Sequence, residues 1–132
     1  DPSIATLALE LSEQTLLKNV RVFESLFKSL AIRDLRIYCD SIDAKLYKYK
    51  DAKNREIDAV IVFKDSTWAF VDITIGDDKQ IERKAQQIKE LSKDIDETQT
   101  GEKRFSMIIT KDKTAYKRAD GIYVVPLGCL RS

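Results

Sequence analysis

Apolar and polar positions follow two different periods along the chain, and the changes of period mark its elements. Leu16, Leu17, Val20, Phe23, Phe27, Leu30, Ala31 and Leu35 recur at spacings of three and four, one stripe on a helix. The spacing predicts a long helix from about Glu13 to about Cys39, bent near the charged Ile32–Arg36 segment, with its stripe in the core. Ahead of it, Ser3 is a plausible N-cap for a short helix over Ile4–Leu11. Lys45–Lys50 then alternates lysine with larger residues, a strand whose charges suit a sheet edge.

The period becomes two in the stretch REIDAVIVFKDSTWAFVDITIG, Arg55 to Gly76. Two apolar runs, Ile57–Phe63 and Trp68–Ile75, flank a short polar turn and predict a β-hairpin. One face takes Ile57, Ala59, Ile61, Phe63, Ala69, Val71, Ile73 and Ile75. The other takes Asp58, Val60, Val62, Trp68, Phe70, Asp72 and Thr74. Both faces are apolar except near the open end, so the sheet is expected to be covered on both sides. Asp58 and Asp72 interrupt that apolar pattern, and a carboxylate there is costly unless paired, hydrated or bound to a cation. They share a face only if the connecting loop has an odd number of residues, and a three-residue loop is predicted.

Gly76 ends the second strand. Ile81, Ala85, Ile88, Leu91 and Ile95 step by three or four and predict an amphipathic helix over about Lys79–Asp96. Glu97–Lys103 reads as a loop, Phe105–Thr110 as a buried strand, and Lys111–Asp120 as polar connection. Ile122–Val125 reads as a last strand, with Leu127–Leu130 packing back. Short turns make the first three strands antiparallel, and the crossover helix allows Phe105–Thr110 to lie parallel to Trp68–Ile75.

Composition narrows the chemistry. The chain has 132 residues, 43% hydrophobic and 34% charged, and is read as a single domain, residues 1–132. Its 23 basic and 22 acidic side chains leave a net charge of +1, which argues against a strongly basic nucleic-acid module but allows a local basic patch. There is no histidine, so the commonest general base and transition-metal ligand is missing. Cys39 and Cys129 are far apart and suit a reduced, cytoplasmic protein with buried thiols. No apolar run reaches the roughly 18 residues of a membrane span, so no membrane partner is expected.

The order of helix with an acid, three antiparallel strands, helix and strand is similar to the restriction-endonuclease-like fold of the PD-(D/E)XK group. FESLF around Glu24, REIDAV around Asp58 and VDITIG around Asp72 resemble its three motifs. The wording from Val22 to Leu130, including LFKSLAIRDLRIYCDSIDAKLYKYK and DGIYVVPLGCL, also resembles the uncharacterised domain at the C-terminus of many prokaryotic AAA-type ATPases. The resemblance implies an α/β fold: a mixed sheet of three antiparallel strands, a crossover helix and further strands, flanked by helices. It implies that the chain is the C-terminal fragment of a longer ATPase, with the ATPase domain a partner in cis. It also implies Glu24, Asp58 and Asp72 as the acids of a Mg²⁺-dependent DNA nuclease site, with Asp58 and Asp72 holding the metal. The third motif departs from the pattern, because Thr74 stands where the lysine is expected. A neutral hydroxyl cannot supply that charge. Lys64, Lys79 or Lys84 could replace it, and Lys84, on the helix after the strand, is best placed.

Three functions are therefore expected in order. The first is a catalytically degenerate accessory domain that binds partners or nucleic acid, with its acids weak for Mg²⁺ and the metal more often absent. The second is an active nuclease with a relocated lysine. The third is an interaction or oligomerisation domain with no nucleic-acid role. Arg33, Arg36 and the lysines of Lys45–Lys53 read as a solvated face or a weak phosphate-facing patch, and Tyr47 and Tyr49 as an exposed edge.

Overall fold

A computed structural model describes residues 13–130, with side chains from residue 17 onward; the short helix expected over Ile4–Leu11 lies outside the described residues. Helix α1 spans Glu13–Ser41 without interruption. Strands β1 (Lys45–Lys50), β2 (Glu56–Val62) and β3 (Trp68–Ile73) follow. Then come α2 (Asp78–Asp94), the one-turn helix α3 (Glu97–Thr100) and β4 (Lys103–Thr110). The short β5 (Tyr116–Lys117), β6 (Tyr123–Pro126) and a 3-10 turn over Leu127–Leu130 complete the order.

One six-stranded sheet runs β1-β2-β3-β4-β6-β5. β1, β2 and β3 pair antiparallel, β3, β4 and β6 pair parallel, and β5 returns antiparallel on the far edge. This is the mixed α/β architecture expected from the pattern, with the parallel β3–β4 pair made by the α2 crossover. Two details differ. Glu97–Thr100 forms a helical turn capped by Asp96, whose side chain accepts from Thr98 N. The polar connection also contains β5, too short and exposed to leave an apolar signal.

Each face has its own core. On one, Phe27, Ala31, Leu35 and Cys39 of α1 pack on Ala59, Ile61, Ala69, Val71, Ile73, Met107 and Ile109. On the other, Ile81, Ala85, Ile88 and Leu91 of α2 pack on Trp68, Phe70, Ile108, Ile122 and Val124. The α1 stripe is only half used. Leu17, Val20 and Phe23 remain 53%, 46% and 52% exposed, because the packing of α1 on the sheet begins at Phe27. The core expectation is corrected for that half of the helix and for Leu30, which is 39% exposed.

Ile57 is the second correction. It belongs to the α2 core, not with Ala59 and Ile61. Between Tyr47↔Val60 and Tyr49↔Ile57, two steps along β1 match three along β2. This bulge places one extra residue at Asp58–Ala59 and reverses the period-two phase beyond it. The β2–β3 register, Ala59↔Val71 through Val62↔Trp68, closes at Phe63 N donating to Thr67 O at 2.8 Å. The loop is thus Lys64–Asp65–Ser66, three residues as expected, with Ser66 at φ 71°, the left-handed third position of such loops.

Candidate functional site

The odd loop puts Asp58 and Asp72 next in line across the hairpin, where the ladder would continue beyond Ala59↔Val71. The strands are joined there by side chains. Asp58 N donates to Asp72 Oδ1 at 3.1 Å, and Ile73 N donates to Asp58 Oδ2 at 2.9 Å. Each acid therefore braces the opposite strand.

One lysine reaches this pair from each helical layer. From α2, Lys84 Nζ stands 3.7 Å from Asp72 Oδ1 and 4.0 Å from Asp58 Oδ2. From α1, Lys28 Nζ stands 3.8 Å from Asp58 Oδ1 and 3.7 Å from Glu24 Oε1. These are ion pairs beyond hydrogen-bond length. The result is an alternating line of charge, Glu24–Lys28–Asp58–Lys84–Asp72, across the C-terminal end of β3.

The acids differ in environment. The Asp72 side chain is 1% exposed and that of Asp58 18%. Burial pushes the Asp72 carboxyl up to about 7 from its ordinary 3.8; Lys84 opposes the rise and Asp58 adds to it. Asp72 Oδ2 is buried without a hydrogen-bond partner among the described residues. Thr74 is buried beside them, and its Oγ1 accepts from Gly76 N at 3.0 Å, so it is spent on the turn into α2. Asp77 caps that helix by accepting from Lys79 N and Gln80 N, which fixes the start of α2 and with it the reach of Lys84, two turns on.

Of the residues singled out from sequence, Asp58, Asp72 and Lys84 come together. Among the described residues Glu24 joins through Lys28 alone, with its side chain 48% exposed. Lys64 is drawn to Asp43 instead, at 2.9 Å. Lys28 was missed, although it lies four residues after Glu24 on the same helical face.

Two clefts flank the end of β3 and share Ile73. One, about 460 Å³, lies between α1 and β1 and includes Lys28, Arg33, Arg36, Tyr47, Lys48 and Asp58. The other, about 480 Å³, opens between α1 and α2 and includes Glu24, Thr74, Gln80, Arg83, Lys84 and Gln87.

Residues 23–130 match the family model described as "Domain of unknown function (DUF4143)". The chain belongs to this family. The match spans every candidate site residue and carries no assignment of activity. No curated protein and no solved structure matches the chain. No described helix of this DUF4143 domain is long and apolar enough to cross a membrane.

Mg²⁺ fits this arrangement poorly. It prefers octahedral oxygen coordination, with one or two carboxylates and several waters. Here each acid has an oxygen committed to a backbone N–H, Asp72 is sealed from solvent, and the Lys84 ammonium stands beside both. Among the described residues, no three His, Cys, Asp or Glu side chains are grouped to hold a metal ion.

Proposed function

We propose that the domain is a nuclease-fold accessory module, catalytically degenerate, that serves an AAA-type ATPase by binding nucleic acid rather than cutting it. The observation that carries this reading is the commitment of both hairpin acids: they accept backbone N–H groups of the opposite strand and face lysines. Thr74 supports it, since the hydroxyl standing for the motif lysine is buried and occupied by Gly76 N. The ATPase context is supported by the resemblance of Val22–Leu130 to domains at the C-terminus of such enzymes. The test is cleavage of plasmid and single-stranded DNA in Mg²⁺ or Mn²⁺. Wild type is expected to match Asp72→Ala, with no metal-dependent product; robust cleavage that disappears in Asp72→Ala sinks the reading.

One observation favours an active Mg²⁺-dependent nuclease as second reading. Lys84 Nζ lies within 4.0 Å of both acids, where a relocated lysine is required. That reading expects cleavage lost in Lys84→Ala and retained in part in Lys84→Arg, and calorimetric Mg²⁺ binding lost in Asp58→Ala.

A further inference from the structure

We infer that the free edge of β1 is a docking site for an extended peptide in which acidic and large apolar residues alternate. The inference goes beyond the nucleic-acid reading above and does not rest on it. β1 ends the sheet, and among the described residues its strand partner is β2 alone. Its outer N–H and C=O groups are therefore a template for one more strand. The extra residue of the bulge belongs to β2, so β1 itself runs unbroken over Lys45–Lys50. Such an edge takes a segment by main-chain pairing, and the groups flanking it select the side chains.

The two flanks differ in kind. Leu46 packs with the α1 core and Tyr49 with the α2 core, so alternation sets Lys48 toward α1 and Tyr47 toward α2. On the α1 side, Lys48 lines the cleft of about 460 Å³ together with Lys28, Arg33 and Arg36. The acid in that cleft is Asp58, which Lys28 already faces at 3.8 Å. Arg33 lies 3.6 Å from Asp34 with its side chain 60% exposed, and among the described residues Arg36 and Lys48 carry no ion pair. The α2 side is apolar. A recess of about 200 Å³ opens there, bounded by Tyr49, Val60, Val62, Trp68, Phe70 and Ile95, and Tyr47, on the same face, is exposed. Successive side chains of a docked strand point to opposite faces. Acids on one face then meet the cations, and large apolar residues on the other meet the tyrosines and the recess.

These surroundings decide between occupants. A second copy of this edge would set lysine against lysine, since KLYKYK holds three lysines and no acid. Sites for free small molecules run upward from about 300 Å³, so a recess of about 200 Å³ suits a single large side chain. A nucleic acid would use the cations and leave both the apolar recess and the backbone edge unfilled. An extended segment of alternating acidic and apolar residues uses all three.

The test is fluorescence anisotropy with labelled octapeptides that alternate glutamate with leucine or phenylalanine, alongside labelled oligothymidine. The alternating peptides should bind, more weakly as salt rises, with amide shifts concentrated on Lys45–Lys50. The same residues in block order, and a peptide N-methylated along one edge, should each lose at least about ten-fold in affinity. Alanine in place of the peptide's leucine or phenylalanine should cost about ten-fold or more. On the protein, Arg36→Glu with Lys48→Glu should weaken binding roughly ten-fold, and circular dichroism melts establish that this variant folds. The inference is overturned if no alternating peptide binds at about 1 mM, or if the block-order or N-methylated peptide binds equally well. Binding indifferent to Arg36→Glu and Lys48→Glu overturns it too, as does a dimer in sedimentation that excludes the peptide. Oligothymidine binding without peptide binding overturns the inference and leaves the nucleic-acid reading standing. Peptide binding without oligothymidine binding supports the inference and overturns the nucleic-acid reading.

Discussion

The two ends of the β2–β3 hairpin are built from the same strands and held by opposite chemistry. At the closed end the backbone does the joining: Phe63 N bonds Thr67 O, and the ladder runs unbroken to Ala59↔Val71. The side chains there are apolar. Trp68 and Phe70 lie with ring centres 4.8 Å apart, and the Trp68 indole donates to Gly101 O at 2.8 Å. Gly101, at φ 88°, lies so close under the Ser66 carbonyl that a Cβ would collide with it. At the open end carboxylates take over as acceptors, and lysines from both layers balance them. A sheet can thus extend its pairing past the end of its ladder, at the cost of burying one acid, Asp72, whose protonation becomes part of the fold.

The largest expected effect lies in the apolar half. Phe70→Ala removes a fully buried ring and should destabilise by about 3–5 kcal/mol in denaturant unfolding. A destabilisation below 1 kcal/mol there would mean that this half relaxes as freely as a surface.

The charged half should instead reveal itself through pH. The Asp72 carboxyl is raised in the folded state from 3.8 to about 7. The folded protein then binds more protons than the unfolded chain between those values, so this contribution is complete below about pH 4 and declines toward pH 7. At 1.36 kcal/mol per unit, the decline is on the order of 2–4 kcal/mol. Asp51, Asp65, Asp94, Asp96 and Asp120 shift the other way, so their losses fall at more acid pH. Asp72→Asn keeps an acceptor for Asp58 N and should remove the decline, gaining on wild type as pH rises from 5 to 8. Parallel stability curves for the two proteins would contradict a raised carboxyl. The smallest effect belongs to the loop. Ser66→Gly relieves the left-handed backbone at φ 71° and should stabilise by up to about 1 kcal/mol, read as a raised thermal midpoint.

Much of this contrast was legible before any coordinates. Loop parity fixes which acids can meet, and Lys64–Asp65–Ser66 makes it odd. The spacing of Ile81, Ala85, Ile88 and Leu91 orients α2, and that orientation brings Lys84 to the acids. The rest needed tertiary information. Ile57 changes face because of a bulge set by pairing with β1, which no period within β2 announces. Leu17, Val20 and Phe23 keep the helical period of Phe27 and Leu35, but a period reports a stripe and not what covers it. Lys48 reads as part of a solvated face or a weak phosphate-facing patch, since the recess beside it exists only where α1 lies against β1.

The cross-strand bonds at the open end also give the molecule two internal sensors. The amide protons of Asp58 and Ile73 are held by carboxylates, not carbonyls. Their nitrogen and proton chemical shifts should move with the charge of the acid opposite, while neighbours bonded within the ladder stay still. The two amides would therefore record, without labels or substitutions, which acid loses its proton first and whether anything arriving at the site disturbs it.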